Sequence, residues 1–438
     1  MMNKEDLMST YLGKNDSDDK YVKLGLLYNP FPRSGTANIN DNDQRSFQLL
    51  PINQDVLSIV LKFIASSLAT NPTNPADKFQ SCVIQGDYGS GKTQLLLFVR
   101  GFLREIANSS RYQAVPYVIY IDNPGVNLLE FLGNIISKIG DENLRKYLWN
   151  DIIEQIKNTT DYRERLNRYI SRQGTIFPEM GNPDPFAEEN IVSYKKFLTV
   201  FLLQIGMSDV RKRFEHDLHE ILNDILYKFT NDAIVANYFY EFLSSDYGVN
   251  KTWEGLINGT LKQLSGKEAS IIKYIVRVVK KEGFSDFFIL VDEFEDITEG
   301  RLTKSQLDNY IYNLRTLLDE QREWGLFFSM SPLAFKKLRK VSPPLADRIS
   351  TCKVTLSGLD KDSVLTLVRN YVKMANGNDI EPFTVDGILC LMDKVDSNVR
   401  RFLTHCFNLV EDASREFSSD DFKIDSAFVN SHVKEEEP

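Results

Sequence analysis

Ser81-Cys-Val-Ile-Gln85 followed by Gly86-Asp-Tyr-Gly-Ser-Gly91-Lys92-Thr93 decides how the rest of this chain is read. A short apolar strand runs into a glycine-rich turn, and a helical pattern continues from about Lys92 to Ala107. The turn fits G-x-x-x-x-G-K-[ST] in full, in the strand-to-helix context that the motif requires. Glycines permit a tight turn whose backbone N–H groups converge on phosphate oxygens. The helix that starts near Lys92 adds the positive end of its dipole. Gly86, Asp87, Tyr88, Gly89, Ser90, Gly91, Lys92 and Thr93 therefore form the expected phosphate cradle. Lys92 can reach the β- and γ-phosphates, and the Thr93 hydroxyl can ligate Mg²⁺.

A second motif, Phe287-Phe-Ile-Leu-Val-Asp292-Glu293, is an apolar strand ending in two carboxylates. Ligands of open α/β sheets bind at the C-terminal edge of the strands. Asp292 is expected to hold Mg²⁺ through water, and Glu293 to orient and deprotonate an attacking water. Glu295 and Asp296 read as surface charges or a helix N-terminal cluster.

Outward from these motifs the chain alternates strand and helix. Tyr117–Ile121 is a strand and Leu128–Ile139 a helix, the opening of a parallel α/β sheet. Residues 141–283 break the rhythm with six or so helices, among them Asp141–Asn158, Val192–Ile205, Val210–Phe229 and Lys267–Glu282. The sheet resumes with Asp286–Val291, apolar throughout as a strand buried on both faces should be. Leu326–Ser329 and Cys352–Leu356 are further strands. Only helices follow: Lys361–Ala375, Val385–Lys394 and Val399–Arg415. The expected organisation is an arm (1–48), a parallel α/β core in two parts (49–140 and 284–357), an all-helical insertion (141–283), and a C-terminal helical lid and tail (358–438). The arm, rich in Asn, Asp, Ser, Gly and Pro, is expected to lie on the surface or be mobile.

Composition narrows the possibilities. Among 438 residues, 42% are hydrophobic and 26% charged, which suits a globular core. Lys plus Arg is 52 against 61 Asp plus Glu, a net charge of −9. That balance disfavours attachment to nucleic acid by bulk charge alone. No apolar run approaches the roughly 20 residues of a membrane span, and the acidic start does not read as a secretory signal. Of the four cysteines, none sits at CxxC spacing, and Cys82 and Cys352 read as small buried thiols. His216-x-x-His219 lacks a matching third ligand. A cytoplasmic location is the simplest expectation.

The order of phosphate loop, acidic strand end, polar strand end and helical lid resembles AAA+ ATPases. The branch it resembles holds origin-recognition initiators and related bacterial ATP-binding proteins, including those of BREX-type phage-defence systems. The likeness covers about 79–139 and 284–413. It implies ATP and Mg²⁺ as cofactors and an ATPase that works as a homo-oligomer on DNA or with a DNA-processing or defence partner. It further implies a polar residue at the end of the strand after Asp292, for which Ser331 is the candidate and Ser329 the second choice. Ser331 can equally cap the helix that begins at Pro332. Arg348, before the last strand, matches the arginine that reaches a neighbouring subunit's ATP; an ion pair with Asp347 or another carboxylate is the alternative. Asp396-Ser-Asn-Val-Arg400-Arg-Phe-Leu403 resembles the family's lid segment, with Arg400 at the phosphate-contacting position. Ser397 and Val399 depart from the family's Gly and Pro there. Leu50, Pro51 and Ile52 are candidate adenine contacts. The basic runs Lys336-Lys337-x-Arg339-Lys340 and Lys273-x3-Arg277-x2-Lys280-Lys281 are candidate DNA faces or solvated helix faces. The C-terminal helix-turn-helix expected of an initiator does not appear. A slow ATP-dependent signalling switch of the STAND type, recruiting proteins through the helical insertion, is the other reading. Its aromatics Tyr238, Phe239, Tyr240 and Phe242 suit a core better than an interface.

Overall fold

The computed structural model describes residues 19–36, 54–68, 81–170, 183–205, 208–245, 264, 266–298, 302–320, 324–416 and 422–434. Five strands form one sheet: β1 (Ser81–Gln85), β2 (Pro116–Ile121), β3 (Asp286–Val291), β4 (Gly325–Met330) and β5 (Cys352–Thr355). Their order is β2-β3-β4-β1-β5, with every pairing parallel. All C-terminal strand ends therefore meet at one edge. β4 alone separates the phosphate-loop strand β1 from the acidic strand β3.

Side chains alternate across a strand, so an unbroken apolar run serves two cores. Cys82, Ile84, Phe288, Leu290 and Phe327 face one layer, closed by α1 (Gln54–Ser67) and α2 (Lys92–Asn108). Val83, Ile289, Val291, Leu326 and Phe328 face the other, beginning with α3 (Leu128–Ile139).

The insertion contributes α4 (Asp141–Asn158), α5 (Thr160–Asn167), α6 (Tyr194–Gln204), α7 (Ser208–Thr230), α8 (Ala233–Ser244) and α9 (Glu268–Lys281). Its core runs unbroken into the second sheet face, so it is a thickened layer of the same core. Tyr238, Phe239 and Phe242 are buried in it, and Tyr240 packs on its margin. After β3 come α10 (Lys304–Glu320), α11 (Pro332–Val341) and α12 (Pro343–Ile349).

The lid has its own core, built from α13 (Lys361–Met374), α14 (Val385–Lys394), α15 (Val399–Glu416) and α16 (Ser426–His432). Asp360, Thr384 and Asp425 cap the first, second and fourth of these, accepting from Ser363, Gly387 and Phe428 N–H groups.

The arm departs from expectation. Residues 19–36 lie against the lid as a strap. Leu24, Leu26 and Phe31 are buried in the lid core, each contributing roughly 1.5–3 kcal/mol. Phe31 stacks on Tyr371 at 5.1 Å. Lys20 pairs with Glu411 at 2.9 Å, and Leu27 N–H donates to Ala375 O at 3.0 Å. Its polar composition hid three well-spaced apolar anchors.

Candidate functional site

β1 delivers the chain into the loop at Gly86, whose N–H donates to Met330 O at 3.3 Å. Gly89 and Gly91 have φ of +78° and +95°, a region that side chains disfavour. A Cβ on Gly89 would also lie 2.6 Å from Asn398 Oδ1 and 2.9 Å from Arg400 Cβ. Gly91 is the N-cap of α2 and supplies no side-chain cap. Helix-start N–H groups lack helical partners, so this uncapped end suits an anion.

Asp292, 4% exposed, follows β3 directly. Its Oδ2 accepts from Thr93 Oγ1 at 2.7 Å and from the Tyr120 hydroxyl at 2.7 Å. Its Oδ1 accepts from Ser329 Oγ and from Glu293 N–H, the latter at 3.0 Å. Burial, and then the Asp292 carboxylate beside it, push the Tyr120 hydroxyl far above its ordinary value of 10.0. Tyr120 therefore stays protonated and serves as a donor. Glu293 is exposed and stands in the left-handed region at φ +50°. Such a corner costs a non-glycine residue about 1–3 kcal/mol.

The loop and the acidic strand end open on a cavity of about 500 Å³. Lys92, Thr93, Asp292 and Glu293 line it together with Tyr371, Val399 and Leu403 of the lid. The lid reaches the loop directly. Arg400 N–H donates to Gly89 O at 3.2 Å, and Asn398 Nδ2 donates to Tyr88 O at 2.7 Å. The Arg400 guanidinium lies 4.2 Å from the centre of the Tyr88 ring. Asp396 and Ser397 take φ of +51° and +58°, so Ser397 adopts the turn for which the resembled family has glycine.

Several expected residues lie elsewhere or act otherwise. Ser331 is the N-cap of α11, accepting from Ala334 N–H at 3.0 Å, and does not line the cavity. The hydroxyl that reaches the acidic centre belongs to Ser329, the second choice. Ser329 is still inside β4 and points at β3's end, whereas Ser331 has passed into the helix. Arg348 also lies outside the cavity lining. Its guanidinium grips Asp319 of α10, with Nη2 to Oδ2 at 2.9 Å. Asp347, the nearer carboxylate in sequence, pairs with Arg339 at 3.1 Å instead. Leu50, Pro51 and Ile52 lie outside the described residues. Gly35 and Thr36, carried in by the strap, line the cavity. Neither they nor Tyr120 carried a signal in the sequence.

The two basic runs differ. Arg277 and Lys281 pair with buried Asp151 at 3.3 and 2.6 Å. Lys336, Lys337 and Lys340 are exposed on α11. Of the histidine pair, His219 bonds Asn223 at 2.8 Å. His216 stands beside Asp217 and Glu220, whose charges Arg165 balances at 3.6 and 2.9 Å. The four cysteines are free thiols, and no described helix is long and apolar enough to cross a membrane.

No protein-family model and no curated protein matches this chain, so the chemistry of the site rests on its own geometry.

Proposed function

We propose that this chain is an AAA+-type ATPase that binds Mg-ATP in the cavity and hydrolyses it. The observation that carries this reading is the 2.7 Å hydrogen bond from Thr93 to Asp292. It joins the glycine-rich loop after β1 to the acidic end of β3 across the intervening strand β4. Triphosphate is expected in the N–H groups of residues 86–93, with Lys92 as its cation. Thr93 and Asp292 supply hard oxygen donors, and no thiol or imidazole lines the described cavity, a donor set that fits Mg²⁺. Bound there, the ion would offset phosphate charge. Glu293, exposed at the corner that follows Asp292, is the base that takes a proton from water. Ser329 holds Asp292 in register. Arg400 is set to exchange its place over Tyr88 for a phosphate oxygen.

Assembly into a homo-oligomer, with Arg348 released from Asp319 to reach a neighbour's nucleotide, belongs to the same proposal. So does work on DNA or a DNA-processing partner, for which the exposed lysines of α11 are the available face. A slower switch is the second reading. It is favoured by the direct bonds of Asn398 and Arg400 to the loop, which tie lid position to loop occupancy.

The test is nucleotide titration and phosphate release, with and without duplex and single-stranded DNA, alongside mass measurement of the assembly. Lys92→Ala should lose ATP binding. Glu293→Gln should keep binding and lose about 10²–10⁴-fold in turnover. Unchanged affinity in the first variant would remove the site; wild-type phosphate release in the second would remove Glu293 as base.

A further inference from the structure

Lys92 does not stand free in the loop. Its ammonium has three donors, and three oxygens surround it. Gly86 O lies at 2.8 Å, Asp87 O at 3.3 Å and Glu295 Oε1 at 3.6 Å. The two side chains are 11% and 18% exposed, so water screens this pair less than a surface one.

Glu295 is also held in place. It lies on the 3₁₀ turn Phe294–Ile297, which follows the left-handed corner at Glu293. Phe294 and Ile297 are buried on either side of it, and Phe294 packs edge-on against Phe328 of β4 at 4.8 Å. A carboxylate on a turn pinned at both ends is presented to Lys92 by the fold.

We infer that Glu295 is a latch on the phosphate-loop lysine, a positioning residue that a β- or γ-phosphate must displace from Lys92 before the nucleotide is held. This rests on the nucleotide reading above. Two effects share one sign. Glu295 competes with phosphate for the ammonium, and its charge repels a polyphosphate entering a cavity that already contains Asp292 and Glu293. Lys92 is expected to meet the β- and γ-phosphates, so a nucleotide with a single phosphate is expected not to engage the latch. The latch therefore makes the site respond to polyphosphate nucleotides at a higher concentration than the loop alone would, while keeping the lysine paired until they arrive.

The test is calorimetric titration of the full chain with ATP, ADP and AMP in EDTA, so that altered metal coordination cannot contribute. Glu295→Gln is expected to tighten ATP and ADP by about tenfold and to leave AMP within about twofold. Glu295→Asp keeps the charge but withdraws it by one methylene, and is expected to fall between. Thermal unfolding of each variant checks that the turn survives. If wild type binds ATP and Glu295→Gln binds it no more tightly, the latch is wrong while the nucleotide reading stands. Equal tightening of AMP and ATP, or a Glu295→Asp variant identical to wild type, would make the effect one of general charge and also overturn it. If wild type binds ATP neither in EDTA nor with Mg²⁺ restored, the nucleotide reading fails first and takes this inference with it.

Discussion

Of the three aspartates buried among the described residues, Asp151 and Asp292 are treated oppositely. Asp151, fully buried in the helical insertion, is neutralised by Arg277 and Lys281. Asp292, at the sheet edge, receives only neutral donors: two hydroxyls on one oxygen, and a hydroxyl and a backbone N–H on the other. Among the described residues no cationic side chain pairs with it. A buried charge is expensive unless it is paired. The insertion meets that cost locally, as a structural carboxylate should. The sheet edge only solvates the charge with neutral donors, an arrangement that fits the Mg²⁺ proposed above. Lys92, the cation of the phosphate loop, is occupied by Glu295 and its own loop.

That contrast can be broken by exchanging charge at each site. Asp292→Asn should reduce Mg-ATP turnover by at least about a hundredfold while leaving the unfolding temperature unchanged or raised, since an unpaired buried charge is removed. Phosphate release and thermal unfolding on one sample check both halves. Asp151→Asn should do the reverse, costing about 2–3 kcal/mol of stability because two cations lose their partner, with nucleotide affinity unchanged. If both variants lose the same stability, Asp292 is structural and the comparison fails.

Smaller effects sharpen the picture around the lid. Tyr88 is 75% exposed, yet its ring carries Arg400. Tyr88→Ala should loosen the contact by about 0.5–1 kcal/mol, seen as a two- to fivefold rise in amide exchange across residues 398–403. Unchanged exchange would show that the backbone bonds alone dock the lid.

The smallest effect concerns the strap and acid. Burial raises Glu411, but hydrogen bonds from Tyr21, Lys20 and Asn29 outweigh it and hold the carboxyl below its ordinary value of 4.5. A depressed carboxyl contributes stability above its unfolded value, and that contribution is lost as pH falls through the folded one. The strap should therefore become sensitive to an acid protease below about pH 4, ahead of the sheet, and Glu411→Gln should bring that sensitivity to neutral pH. Simultaneous cleavage of strap and sheet would dissociate Glu411 from strap docking.

Much of the fold was legible in the chain. Leu128–Ile139, Asp141–Asn158 and Asp286–Val291 have the boundaries their periodicity predicts. The cradle was legible as well, since its glycines answer a local backbone demand. α16 was not, because seven residues with few apolar positions give no period. It is held by burial of Val429 with flanking Ile424 and Val433. The strap was missed for the same reason.

Local conformation and residue type, which the chain carries in every short window, determined the sheet strands, the phosphate turn and the acidic strand end. Tertiary structure alone decided that Ser329 rather than Ser331 serves Asp292, that Arg348 grips Asp319, and that Lys92 is met by Glu295. It alone joined Thr93 to a carboxylate 199 residues away. The physical reason is reach. A side chain chooses its partner among the few atoms within 3–4 Å, and strand order and packing decide which distant segments supply them.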